Sequence, residues 1–327
     1  MRRKHNRFDP DVPAGILTVN KPEGQTSAKV VAIVKKALNA KKVGHTGTLD
    51  PFATGIVICC INQATKLSQF FLEGDKTYEG ILHLGIATDT QDRTGQIIQQ
   101  NDPECSEQDI AVAFKQFTGT IEQYPPAFSA LKHKGVPLYR LARKGQPVQK
   151  PPRKVQIYQL TILSVKMPLI NFRVKCSSGT YIRTLCADIG QTLGCGGHLK
   201  ELCRIESCGY SIDNALTYEQ IDTQKSTGML KSRIVPVSDS LKDYPKIITT
   251  PGIQKQILDG RKIYRNCFSQ DTLDKGNILQ IITPDNILLA VIRFQENSDE
   301  CKVIRMGLSE KNKTPGAWGR RKAVGGD

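Results

Sequence analysis

The chain has 327 residues, 39% hydrophobic and 24% charged, the balance of an ordinary globular protein with room for one large domain and a smaller one. It lacks any apolar run near the ~18 residues of a membrane-spanning helix, and its ten cysteines are too dilute for a small disulfide scaffold, so they are expected to be reduced. Forty-six basic residues against 31 acidic ones leave a net charge of +15, which points to a polyanionic partner, because each Lys or Arg that meets a phosphate releases a counterion.

The chain starts with the basic stretch Met1 to Arg7, followed by Phe8-Asp9-Pro10-Asp11-Val12-Pro13 instead of the apolar core of a secretion signal. A cytoplasmic location is therefore expected. Residues 1–13 and 311–327 read as basic tails. Gly15 to Asn20 reads as a short strand ending at the turn Lys21-Pro22-Glu23-Gly24. Thr26 or Ser27 can cap the next helix, whose Val30, Ile33, Val34, Ala37 and Leu38 recur at helical spacing. Then comes Gly44-His45-Thr46-Gly47-Thr48-Leu49-Asp50-Pro51-Phe52-Ala53-Thr54-Gly55. Its glycines, proline and threonines make a poor helix and a poor strand. A constrained loop holding one carboxylate and one imidazole reads as a site on a rigid frame. The apolar run Ile56 to Ile61 follows, where Cys59 and Cys60 look like small buried hydrophobes.

Thr77 to Ile86 alternates as a strand, with Tyr78, Leu82, Leu84 and Ile86 on one face and Glu79 and His83 on the other. Ser106 and Asp109 form a capping-box pattern ahead of Ile110, Phe114 and Phe117. Residues 121–154, rich in proline and basic side chains, read as an insertion that works on a partner. Phe172, Val174 and Cys176 alternate with Arg173 and Lys175 in another strand. Ser177-Ser178-Gly179 then turns the chain into a helix carrying Ile182, Leu185, Cys186, Ile189 and Leu193. His198 to Arg204 reads as helical, and residues 214–245 as a helix and linker. From about Thr249, short alternating segments separated by turns suggest a small β-rich domain.

Arg183 falls in the first turn of its helix, where the macrodipole disfavours a cation. Its apolar neighbours Tyr181, Ile182 and Leu185 turn it inward, and a buried guanidinium left without an anion costs ~3–5 kcal/mol. Asp50 or a nucleic-acid phosphate could pair with it; so could Asp188 or Glu206. Asp50 alone reads as a turn residue before Pro51. Cys195, His198, Cys203 and Cys208 have the spacing of a zinc knuckle with His and Cys exchanged. Nothing else in the sequence suggests a metal, and none is expected.

Three segments in order, residues 44–55, Lys76-Thr77-Tyr78 and Gly179-Thr180-Tyr181-Ile182-Arg183, resemble the TruB family of tRNA pseudouridine synthases. Gly15-Ile16-Leu17, Lys21-Pro22, Tyr124 through Lys132, and Cys195 through Leu199 extend the resemblance over roughly residues 14–236. It implies an α+β pseudouridine synthase fold with a central mixed, largely antiparallel sheet spanning 14–245. The basic segment 121–154 would be an RNA-gripping insertion, and 246–310 a small PUA-like RNA-binding β domain. It also implies the roles. Asp50 matches the catalytic aspartate, Tyr78 the tyrosine that stacks on uracil and is implicated in deprotonating C5, and Arg183 the arginine paired with the aspartate. His45 matches the histidine that fills the space of the flipped nucleotide. Tyr181 and Leu202 match pocket-lining positions, and Lys21, Lys132 and Arg204 are further substrate-binding positions.

The implied reaction isomerises a T-loop uridine of tRNA by cleaving N1–C1′ and rejoining at C5, either by attack of Asp50 at C1′ or by a glycal route. Such chemistry needs no cofactor, and the chain lacks Gly-x4-Gly-Lys, HExxH and Gly-x-Ser-x-Gly. The expected partner is the T-arm of tRNA, with no membrane and no metal, and the protein is expected to be a monomer. Two alternatives stay open: a guide-RNA-dependent synthase of the dyskerin type, and a non-catalytic tRNA-binding or folding module. Phe52, Thr48 and Cys203 depart from the family pattern, where leucine, alanine and a basic residue are usual.

Overall fold

The computed structural model describes residues 8–274, 276–295 and 298–306. The expected tail 311–327 and the first seven residues of the other lie outside them. The chain divides into two compact units between Pro236 and Val237, ahead of the boundary expected at 245.

The first unit is built on a ten-stranded sheet. Its main strands are β1 (Gly15–Lys21), β2 (Thr54–Ile61), β3 (Lys76–Leu84), β4 (Gly119–Gln123), β5 (Arg153–Lys166), β6 (Leu169–Cys176), β7 (Gly197–Ser207) and β8 (Val235–Pro236), in the order β8-β1-β2-β7-β3-β6-β5-β4. Val43–His45 pairs with β2, and Tyr210–Ser211 with β7. Every pairing is antiparallel except β7 with β2, which run parallel through Cys203↔Thr54 and Arg204↔Gly55.

Helices α1 (Ser27–Leu38), α2 (Glu107–Gln116) and α3 (Ile182–Thr192) cover this sheet. Thr26 caps α1 by accepting from Lys29 N, and Asn39 ends it at a φ of 52°. Val30, Val34 and Leu38 are its buried stripe, each side chain contributing ~1.5–3 kcal/mol of transfer from water. Ser106 and Asp109 form the reciprocal capping box of α2, satisfying two backbone donors that the first turn cannot.

The helical reading of His198 to Arg204 is corrected: these residues lie in β7, antiparallel to β3 through His198↔His83, Leu199↔Leu82 and Leu202↔Gly80. Their Leu, Lys, Glu and Arg content favours a helix locally, but strand neighbours on both sides supply ladder hydrogen bonds that override it. Irregularities in the ladder on both sides of Leu202 and Arg204 leave this pair on one face of the sheet.

The second unit holds a five-stranded sheet: β9 (Lys246–Ile248), β10 (Ile263–Tyr264), β11 (Ile278–Ile282), β12 (Leu288–Gln295) and β13 (Ser298–Met306), in the order β9-β11-β12-β13-β10. Its core gathers Ile257, Ile263, Leu279, Ile281, Ile292 and Phe294. Gln280 Nε2 donates to Leu241 O at 2.9 Å and Tyr244 O at 2.7 Å. That buried amide joins the segment before β9 to this unit, which is why the division falls early.

Candidate active site

The loop between the short strand Val43–His45 and β2 is fastened from several directions. Leu49 N donates to Ser27 Oγ at 2.9 Å, holding it to the start of α1. Lys21, fully buried at the end of β1, donates through Nζ to Pro22 O, Gln25 O and Pro51 O at 3.0, 2.8 and 3.2 Å. Burial pulls its pKa down to about 8. Arg204, also fully buried, donates through Nε to Ile56 O at 2.8 Å. Gly55 has a φ of 109°, and a Cβ there would lie 2.3 Å from Arg204 O. Only glycine tolerates that approach.

This frame presents Asp50 to Arg183, whose Nε donates to Asp50 Oδ2 at 2.9 Å. The guanidinium is 5% exposed and the carboxylate 36%, so the acid reaches solvent while its partner does not. Arg183 Nη1 donates to Thr90 O at 2.8 Å and Nη2 to Phe128 O at 2.9 Å. Asp188 and Glu206 do not take the pairing role. Burial pushes the Asp188 carboxyl up to about 6, and Glu206 accepts from Thr77 Oγ1 at 3.1 Å.

A second carboxylate, Asp92, was not singled out in the sequence. It is 5% exposed, with Oδ2 at 3.6 Å from Arg183 Nε. Its Oδ1 accepts from Thr90 Oγ1, Thr94 N and Thr94 Oγ1 at 2.8, 2.9 and 2.6 Å, which leaves Oδ2 to face the guanidinium. The available signal was Thr90-x-Asp92-x-Thr94 just after a strand, a pattern that holds a carboxylate by local hydrogen bonds. β7 fixes the same loop: Leu199 N donates to Gln91 O at 3.0 Å, and Arg93 N to Leu199 O at 3.1 Å.

Asp50 and Arg183 open into a cleft of about 390 Å³ whose lining includes Tyr78, Tyr181, Leu202 and Arg204. Tyr78 is 9% exposed, and burial raises its phenol pKa while the Arg204 guanidinium beside it pulls the other way. Tyr181 is held at both backbone groups by Gln123, which accepts from its N at 3.0 Å and donates to its O at 3.2 Å. Six of the sequence-derived positions thus share one cleft.

The other three line other places. Lys21 is the loop clamp. His45 is half-buried on the entry strand, its ring pKa lowered by burial and by Arg204. Lys132 is exposed on a hairpin, Lys132–His133 against Val136–Pro137. Arg204 reaches the cleft while holding the backbone carbonyls of Ile56 and Gly47 from inside the sheet. Among the described residues, no three of Cys195, His198, Cys203 and Cys208 gather as a metal site; His198 Nδ1 instead lies 2.8 Å from Ile86 O.

Comparison with known proteins shows the family of the chain. The family model described as TruB family pseudouridylate synthase (N terminal domain) matches residues 35–182. That of the tRNA pseudouridylate synthase B C-terminal domain matches residues 183–242. The chain is 42% identical over 296 residues to the tRNA pseudouridine synthase B of Syntrophus aciditrophicus (strain SB), covering 90% of this chain and 95% of that one. It is 45% identical over 301 residues to that of Alkaliphilus oremlandii (strain OhILAs), covering 91% and 99%. Among solved structures, a chain of a Cbf5-Nop10-Gar1 complex shares the fold at a TM-score of 0.68 and 24% identity, over 94% of this chain and 92% of that one.

Proposed function

The chain belongs to the TruB family of pseudouridylate synthases, and from that premise we propose that it converts a T-loop uridine of tRNA to pseudouridine, with Asp50 as the catalytic carboxylate. The observation that carries this reading is the Asp50–Arg183 pair at 2.9 Å, opening on a cleft that Tyr78 also lines.

The reaction is an isomerisation. The N1–C1′ bond breaks, the uracil turns, C5–C1′ forms, and the proton lost from C5 is balanced by one gained at N1. No redox partner or phosphate donor enters that balance. Asp50 has one oxygen on Arg183 and is a third exposed, so it can approach the sugar of a nucleoside drawn into the cleft; a carboxylate there serves either attack at C1′ or a glycal route. Arg183 fixes its position. Tyr78, whose phenol pKa burial raises, stacks on the uracil, and Arg204 beside it would stabilise the phenolate needed to take the C5 proton. Tyr181 and Leu202 enclose the base.

Extruding a nucleotide from its stack costs a few kcal/mol, and one aromatic stack returns ~1–3 kcal/mol. The remainder is assigned to His45 filling the vacated space, to Lys132 and the rest of the basic segment 121–154, and to the second unit acting as a PUA-like RNA-binding domain. The protein acts as a monomer in the cytoplasm.

The test is modification mapping on unmodified tRNA and on a T-arm stem-loop, with wild type and Asp50→Ala. Wild type is expected to form pseudouridine at one T-loop position without a guide RNA. Asp50→Ala is expected to bind RNA within about twofold of wild type and form no product. Equal product from both would remove Asp50 from the chemistry.

A further inference from the structure

Arg153, the first residue of β5, sits half-buried in the cleft wall. Its Cζ lies 4.5 Å from the centre of the Tyr181 ring. On another side it passes Gly179, where a Cβ would come within 3.3 Å of Cζ and 3.5 Å of both terminal nitrogens. Backbone pairing of Arg153 with Gln123, the residue that holds Tyr181, fixes the guanidinium and the ring in one frame.

The charge on that guanidinium is uncompensated. Among the described residues no carboxylate pairs with it, and its Nε is enclosed with no hydrogen-bond partner. Asp50, an acid of the same cleft, is already engaged by Arg183. Buried polar groups are normally satisfied, and those left over call for an outside partner. A uracil carbonyl would satisfy an N–H but not the charge. A phosphodiester that met the terminal nitrogens from the cleft would do both, its oxygens matching the planar guanidinium.

We propose that Arg153 is a substrate-binding residue that takes a phosphodiester flanking the extruded uridine, stacked on Tyr181 so that one contact positions both the backbone and the base-enclosing ring. This rests on the RNA-modifying reading above and adds a named anchor to it.

The experiment uses the full-length protein and synthetic T-arm stem-loops. In each RNA one phosphate next to the target uridine is replaced by a neutral methylphosphonate on a 2′-O-methyl nucleotide; the control carries the 2′-O-methyl group with its ordinary phosphate. Affinity is measured against salt for wild type, Arg153→Gln and Arg153→Lys. With wild type, one neutral linkage is expected to weaken binding by roughly tenfold. Arg153→Gln is expected to bind the control RNA with about that loss, to be indifferent to the same linkage, and to show a salt slope smaller by ~0.7–0.9. Arg153→Lys should keep the slope. The proposal is overturned if no flanking neutral linkage weakens wild type, or if wild type and Arg153→Gln lose equally at every linkage. The wild-type measurement does not depend on any variant folding. Conversion of unmodified stem-loop by wild type reports separately on the functional reading.

Discussion

Arg183 donates in three directions, and only one of them reaches Asp50. The others go to Thr90 O and Phe128 O, and Asp92 lies behind at 3.6 Å. We predict that the guanidinium's position depends in part on this carboxylate, which is buried away from the cleft lining. Asp92→Asn keeps the shape and removes the charge. A misplacement of ~1 Å in a catalytic group can cost on the order of 10²-fold, so the single-turnover rate at saturating enzyme is expected to fall about 10- to 100-fold with RNA affinity unchanged. An unaltered rate would show that the carbonyl contacts alone hold Arg183. The sequence argued that Arg183 points inward and needs an anion, since both follow from its neighbours. It left several acids as candidates, because pairing across 133 positions is a property of the folded sheet and not of spacing.

Among the elements, the parallel contact between β2 and β7 does most to shape the site. It joins only Thr54 and Gly55 to Cys203 and Arg204, where the loop carrying Asp50 enters its strand. Gly55→Ala would put a methyl group against Arg204 backbone at 2.3 Å and impose an unfavourable φ, costing at least ~1–3 kcal/mol. A lower thermal midpoint is expected, together with reduced activity at temperatures where the variant stays folded. A midpoint equal to wild type would mean that this pairing bends without cost. Helices α1 and α2 were legible because their information is local: a cap, an apolar stripe and a capping box within a dozen residues. β7 was not, since its residues favour a helix by themselves and become a strand only between β2 and β3. Asp92 had a local signal in its flanking threonines, but its place beside Arg183 is a matter of the fold, with Leu199 holding the loop from far along the chain.

For the molecule as a whole, the net charge of +15 predicts how binding responds to salt. If about six phosphates are neutralised, affinity for tRNA should fall by ~10³ between 50 and 200 mM monovalent salt. A nearly flat response in a binding titration would argue that recognition is carried by base contacts instead. Neither unit contains a helix, among the described residues, long and apolar enough to cross a membrane. The buried ammonium of Lys21 lends itself to a different use. Acylating reagents modify lysines that water can reach, and this one has its hydrogens on three carbonyls and no exposed surface. It would be labelled only in molecules whose chain around Pro51 had come away. The slow appearance of that single adduct, set against the rapid labelling of surface amines, would act as a clock for spontaneous opening at the heart of the protein.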